Sequence, residues 1–135
     1  MKTKFLAMTF TVFLVAGQAL GLAQSSKKSR ATKEFMRDKL ELAQGILEGL
    51  SVENYDLIVS RSQKLSAMSQ QADWKVFENP DYEQQSIAFR RNVDALTKAA
   101  KNKNLDGATL AYVRVTMSCV ECHKYVRGRL VAGLN

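Results

Sequence analysis

Both cysteines and the only histidine of this 135-residue chain fall within five consecutive positions, Cys119-Val120-Glu121-Cys122-His123. On a helix, Cys119, Cys122 and His123 stand at i, i+3 and i+4 and share one face. Two thiols at that spacing can add to the two vinyl groups of a porphyrin, and the adjacent imidazole can reach its iron. C-x-x-C-H is the attachment pattern of a c-type haem, and histidine is a usual axial ligand. Other chemistries fit less well. A structural zinc ion needs four N or S ligands, and the chain offers three. A thioredoxin-like pair belongs beside a βαβ unit, whereas no strand pattern is legible. A disulfide enclosing two residues constrains the chain little and leaves the histidine unexplained. The expected cofactor is one covalent haem c, held by Cys119 and Cys122, with His123 on the iron.

The elements that have to position this motif read as helices. There is one proline and no run of alternating β-branched residues. The first helix is predicted to carry Met36, Leu40, Ala43, Leu47 and Leu50 as its inward seam, with Phe35, Leu42 and Ile46 flanking it. Gly49-Leu50-Ser51 reads as its stop, and Ser51 or Asn54 as the next cap. A second helix is expected over 54–72, with Ile58, Leu65, Met68 and Ala72 inward, then a connection bearing Trp74 and Phe77. Asn79 as cap, Pro80 in the first turn, and Asp81 and Glu83 after it start the third helix, whose inward face is Phe89, Val93, Leu96 and Ala100. Asn104 or Asp106 caps a fourth helix running to about residue 130, with Tyr112, Thr116, Cys119, Val120 and His123 inward. Four such helices with short connections make an all-α, antiparallel up-down-up-down four-helix bundle with covalently bound haem.

Residues 1–23 have the layout of a secretory signal peptide: Lys2 and Lys4, the apolar run from Phe5 to Val15, then small residues up to Ala23. A polar, basic lead-in is expected over 24–33 and the haem domain over 34–130. The expected location is the periplasm, with no stable membrane insertion once the signal is removed; a retained anchor is the alternative reading of the same segment. The net charge of +7 suits an acidic partner, and Lys124 and Arg129 lie near the motif to steer one. Nucleic acid is not expected, since aromatic residues do not interleave with arginine clusters. With one histidine and no carboxylate cluster at the metal, acid–base catalysis lacks its residues, and the chain does not read as an enzyme.

A C-terminal CVECH on the last helix of an exported four-helix chain resembles the class II cytochromes c, the group of cytochrome c prime and its low-spin relatives, over roughly residues 34–130. The resemblance implies that Arg127, four residues after the ligating histidine, pairs with a haem propionate or shields His123. Tyr125 and Val126 depart from the commonest family pattern, in which the aromatic comes third after the histidine. Low-spin relatives take a sixth ligand from a methionine of the first helix, which here points to Met36. Met68, or an iron left open or blocked by Leu40, are the alternatives. A His/Met iron implies a monohaem carrier of single electrons between redox proteins. A five-coordinate iron implies a binder of NO or CO, and a third reading is a haem-bearing subunit of a larger redox complex. Pairing into a homodimer is left open by the charged outer face of the first helix.

Overall fold

The computed structural model describes residues 30–71 and 74–133. The expected signal peptide, most of the lead-in and Ala72 lie outside the described residues. Two compact units divide the chain, Met1–Met36 and Arg37–Asn135. Of the first, residues 30–36 are described; they are helical, with Phe35 buried and Met36 half-buried. Residues 30–33, expected in the lead-in, are therefore already helix.

The described helices are α1 (30–51), α2 (Tyr55–Met68), α3 (Pro80–Lys101) and α4 (Leu105–Ala132). They form the expected all-α four-helix bundle, and no strand occurs among the described residues. Asparagine starts each of the last three. The Asn54 side chain accepts from Leu57 N–H, Asn79 from Tyr82 N–H and Asn104 from Gly107 N–H. Each satisfies a backbone donor that the first turn of a helix leaves without a partner.

The α1–α2 and α3–α4 turns are built alike. Glu53 and Lys103 both adopt φ 54°. Asn54 N–H then bonds back to Gly49 C=O (2.8 Å) and Asn104 N–H to Ala99 C=O (3.0 Å), the six-to-one bond of a Schellman stop. The residue that ends one helix is thus followed at once by the cap of the next. α1 stops at Ser51, as the Gly49-Leu50-Ser51 stretch suggests, with Gly49 itself still helical. A Cβ there would stand 2.8 Å from Ile58 Cγ1, so this glycine lets α1 and α2 approach.

α3 packs on both α2 and α4. The core holds Leu42, Ile46 and Leu50 of α1, Ile58 and Leu65 of α2, Tyr82, Phe89, Val93, Leu96 and Ala100 of α3, and Ala108, Ala111 and Val115 of α4. The seams of α1 and α4 are rotated from those predicted. Leu40 and Leu47 are 58% and 51% exposed, and the buried positions of α1 are Phe35, Leu42, Gly45, Ile46, Gly49 and Leu50. On α4, Thr116, Val120 and His123 are exposed, while Ala108, Ala111, Val115 and Ser118 face inward. Small residues decide both cases, because they let backbones come close while adding little to an apolar pattern. Polar bonds fix the register of neighbours: Asn92 donates to Ser118 Oγ (2.8 Å) between α3 and α4, and the Tyr112 hydroxyl to Ala43 C=O (3.0 Å) between α4 and α1.

Candidate haem site

α4 carries the motif without a break in its hydrogen bonding, so Cys119, Cys122 and His123 hold the helical i, i+3, i+4 relation expected of them. Both cysteines are free thiols and half-buried; His123 is exposed. Burial pushes both thiols up, and the Lys39 ammonium partly opposes this. Burial, then the positive charges of Lys39 and Arg127, hold the His123 imidazole below its ordinary pKa. A neutral imidazole with a free lone pair is the form that binds a metal.

An aromatic wall stands on the inner side of the site. Trp74 is buried and pinned three ways to α3. Its indole N–H donates to Ser86 Oγ (2.8 Å), its carbonyl accepts from the Tyr82 hydroxyl, and its ring lies tilted against Phe89 with centroids 4.9 Å apart. Tyr82 lies close enough to Cys122 for a thiolate there to raise its hydroxyl, although burial is the larger cause. Tyr112 stands in the same relation to Cys119, again with burial first. Phe77 meets Tyr82 and Tyr125 edge-on. The Tyr125 hydroxyl donates to Asn79 Oδ1 (2.8 Å), tying the end of α4 to the α2–α3 connection.

Lys39 enters this wall from α1. Its Nζ sits 3.6 Å from the Trp74 ring centroid and 5.6 Å from that of Phe89. Burial lowers its pKa to about 8, against the opposing pull of Cys119 and then Cys122. Sequence reasoning missed this residue. The available signal was its spacing: Lys39 falls three and seven residues before Leu42 and Ile46, a core position of the helix.

The other expected site residues are placed less centrally. Arg127 is exposed on the turn after His123 and close enough to act on its charge. Met36 ends the first compact unit. Met68 is half-buried at the last turn of α2 and Met117 lies 53% exposed on the outside of α4. Leu40 is 58% exposed, on the α1 face that Met36 shares one turn earlier.

Two half-buried free thiols one turn apart, a histidine beside the second, and a fixed aromatic surface behind them fit a covalently held haem. Cys119 and Cys122 would take the vinyl groups and His123 the iron. Among the described residues no three His, Cys, Asp or Glu side chains gather to hold a metal ion directly.

A family model described as Cytochrome C' matches residues 13–127. No curated protein and no solved structure matches the chain.

Proposed function

Because the chain belongs to the cytochrome c' family, whose members carry a covalent haem c and transfer electrons or bind gases, we propose that it is an exported monohaem carrier of single electrons. One-electron exchange at iron is the chemistry that a bound haem supplies. The rest falls to the chain: to anchor the porphyrin edge, to ligate iron, to dry one face and to leave an edge accessible to a partner.

The observation that carries the reading is the pairing of half-buried Cys119 and Cys122 with exposed His123 on one helix. Cys119, Cys122 and His123 would hold a haem there, and the exposure of His123 leaves this stretch of α4 accessible, as electron exchange with another protein requires. Met36 is proposed as the sixth ligand, from its place on α1 and its thioether chemistry; a Met/His iron is held low-spin at a raised potential. Arg127 is proposed to shield His123 or to pair with a propionate. No described helix is long and apolar enough to cross a membrane; the periplasmic location is proposed from the signal-like layout of residues 1–23. The proposed partner is an acidic redox protein.

The test is an optical spectrum of the mature holoprotein, oxidised and reduced, with and without carbon monoxide. A low-spin spectrum with a methionine-to-iron charge-transfer band, indifferent to carbon monoxide and losing that band in Met36→Ala, is the expected result. A high-spin spectrum that shifts with carbon monoxide would make the protein a gas binder. Absence of covalent haem would remove the reading altogether.

A further inference from the structure

α4 carries apolar residues on two sides. One side packs into the bundle through Ala108, Ala111, Val115 and Ser118. On the far side, set by the helical advance of about 100° per residue, stand Leu110, Val113, Met117 and Val120, all between 43% and 64% exposed. Single exposed apolar residues are ordinary on a protein surface, but a continuous row marks a contact. The intervals of three, four and three residues make this row an a/d seam, the pattern by which one helix packs along another. Val120 belongs to the CVECH stretch but not to the face shared by Cys119, Cys122 and His123. The seam and the haem motif therefore use different sides of one helix.

The ends of the row identify what covers it. Four residues before Leu110 the same row holds Asp106, and four after Val120 it holds Lys124; both are exposed. The salt bridge formed among the described residues joins Arg90 and Glu83, so among those residues neither Asp106 nor Lys124 has an ion-pair partner. Turned end for end about a two-fold axis level with Val115, the row lands on itself. Leu110 then faces Val120 of the second copy, Val113 faces Met117, and Asp106 faces Lys124, each pairing occurring twice. A contact of this kind is isologous, the same patch serving both copies. A parallel pairing would instead set Asp106 against Asp106 and Lys124 against Lys124, which like-charge repulsion disfavours. Thr109 and Thr116 along one flank and Gly107 on the other are small enough to let two helices close. Arg114 meets its own copy near the axis, and its length lets it turn toward Glu121 of the second copy or out to water.

We propose that the outer seam of α4 is the surface through which two copies of this chain pair, antiparallel, with Leu110, Val113, Met117 and Val120 interlocking and Asp106–Lys124 pairs closing both ends. The apolar row supplies the attraction, and the charges at its ends choose the direction of the second helix. A contact three turns long buries less than the about 800 Å² per partner of a standard stable interface. The pairing is therefore reversible, forming as concentration rises and dissociating on dilution. Its end pairs are exposed to solvent, so salt weakens it.

The test is sedimentation velocity of the purified mature holoprotein from low micromolar to near millimolar concentration. Wild type is expected to pass from monomer to dimer across this range. Val113→Glu and Met117→Lys are expected to stay monomeric throughout while keeping the wild-type helical circular dichroism, because both replace exposed side chains. Asp106→Lys and Lys124→Asp, each turning two attractive pairs into repulsive ones, should each weaken pairing about tenfold. An equimolar mixture of those two variants should recover it, since every Lys then meets an Asp of the other copy. A wild type that is monomeric at every concentration would overturn the proposal, and so would a dimer that survives both Val113→Glu and Met117→Lys. A dimer lost in Leu40→Glu but kept in the seam variants would place the contact on α1 and overturn it as well. A mixture no tighter than its separate components would refute the antiparallel register. The charge swaps keep the comparison decisive if a seam variant matures poorly.

Discussion

Replacing Asn79 by alanine should loosen the haem-bearing end of α4 from the connection that carries the aromatic wall. The Asn79 side-chain oxygen accepts two hydrogen bonds, from Tyr82 N–H at 2.9 Å and from the Tyr125 hydroxyl at 2.8 Å. Loss of an N-cap costs about 1 kcal/mol. Loss of a part-buried hydroxyl bond adds roughly 0.5–1.5 kcal/mol, at the low end here because water can reach the half-exposed tyrosine. Asn79→Ala should therefore lower the unfolding free energy by about 2 kcal/mol, read as a shift in urea midpoint at unchanged slope. Asn79→Asp keeps both acceptor contacts and places a negative charge at a helix N-terminus, so it should stay within about 0.5 kcal/mol of wild type. Tyr125→Phe should lose only the hydroxyl bond, about 0.5–1 kcal/mol. The double variant should cost less than the sum of the singles, because both remove the same bond. Strict additivity, or an Asn79→Ala cost under about 0.5 kcal/mol, would show that the cap and tether do not hold this corner.

Other substitutions follow from the same geometry. Lys103→Gly and Glu53→Gly should each stabilise by roughly 0.5–1 kcal/mol, since relief of left-handed strain outweighs the added freedom of the unfolded chain; thermal denaturation reads the gain. Gly49→Ala should destabilise by about 1–3 kcal/mol, because its Cβ would stand 2.8 Å from Ile58 Cγ1 in a packed contact. The Lys39 amine, brought to about 8 from 10.5 by burial, gives a signed pH dependence. Between those values the unfolded chain holds a proton that the folded chain has released, so the Lys39 contribution to the stability of the haem-free chain should rise with pH across this window, opposed at its alkaline end by the two thiols, which burial pushes up. The rise should reach about 3 kcal/mol and vanish in Lys39→Met; urea midpoints at neutral and alkaline pH measure it. Arg127→Ala should change the reduction potential or the spectrum, and a variant matching wild type in both would leave Arg127 without a role at the haem.

The four helices were legible because their limits are written in local chemistry. Asn79-Pro80 with Asp81 and Glu83 marks the start of α3 as clearly as any bond in the structure. The haem motif was legible for the same reason: two cysteines to bond the porphyrin and one histidine to ligate the iron, all within five residues, need no tertiary information. The phases of α1 and α4 were not. α1 has two apolar stripes, and the more regular one, through Leu40 and Leu47, faces outward. The one facing inward is interrupted by Gly45, Gly49 and Lys39, which hydropathy scores against burial. α4 likewise turns Ala108, Ala111 and Ser118 inward and leaves Val113 and Met117 outside. Close packing of backbones selects small residues, and a pattern counted in apolar side chains cannot see that selection. Lys39 was missed because its place in the core depends on Trp74, 35 positions away in the sequence, and on the hydrogen bonds that hold the indole still.

The tight stop at Lys103 and Asn104 acts as an index mark for everything after it. Fifteen positions separate Asn104 from Cys119, all within one unbroken helix, and each residue advances the helix by about 100°. The compass bearing of the cysteine pair is therefore set at the turn, some 20 Å away by helical rise. One residue gained or lost along that stretch would swing the pair away from the aromatic wall while leaving CVECH itself intact. Four residues, slightly more than a full turn, would nearly restore the bearing but move the pair about 6 Å along the axis. The motif is therefore legible in one dimension, but its usefulness depends on an arc length that no motif records.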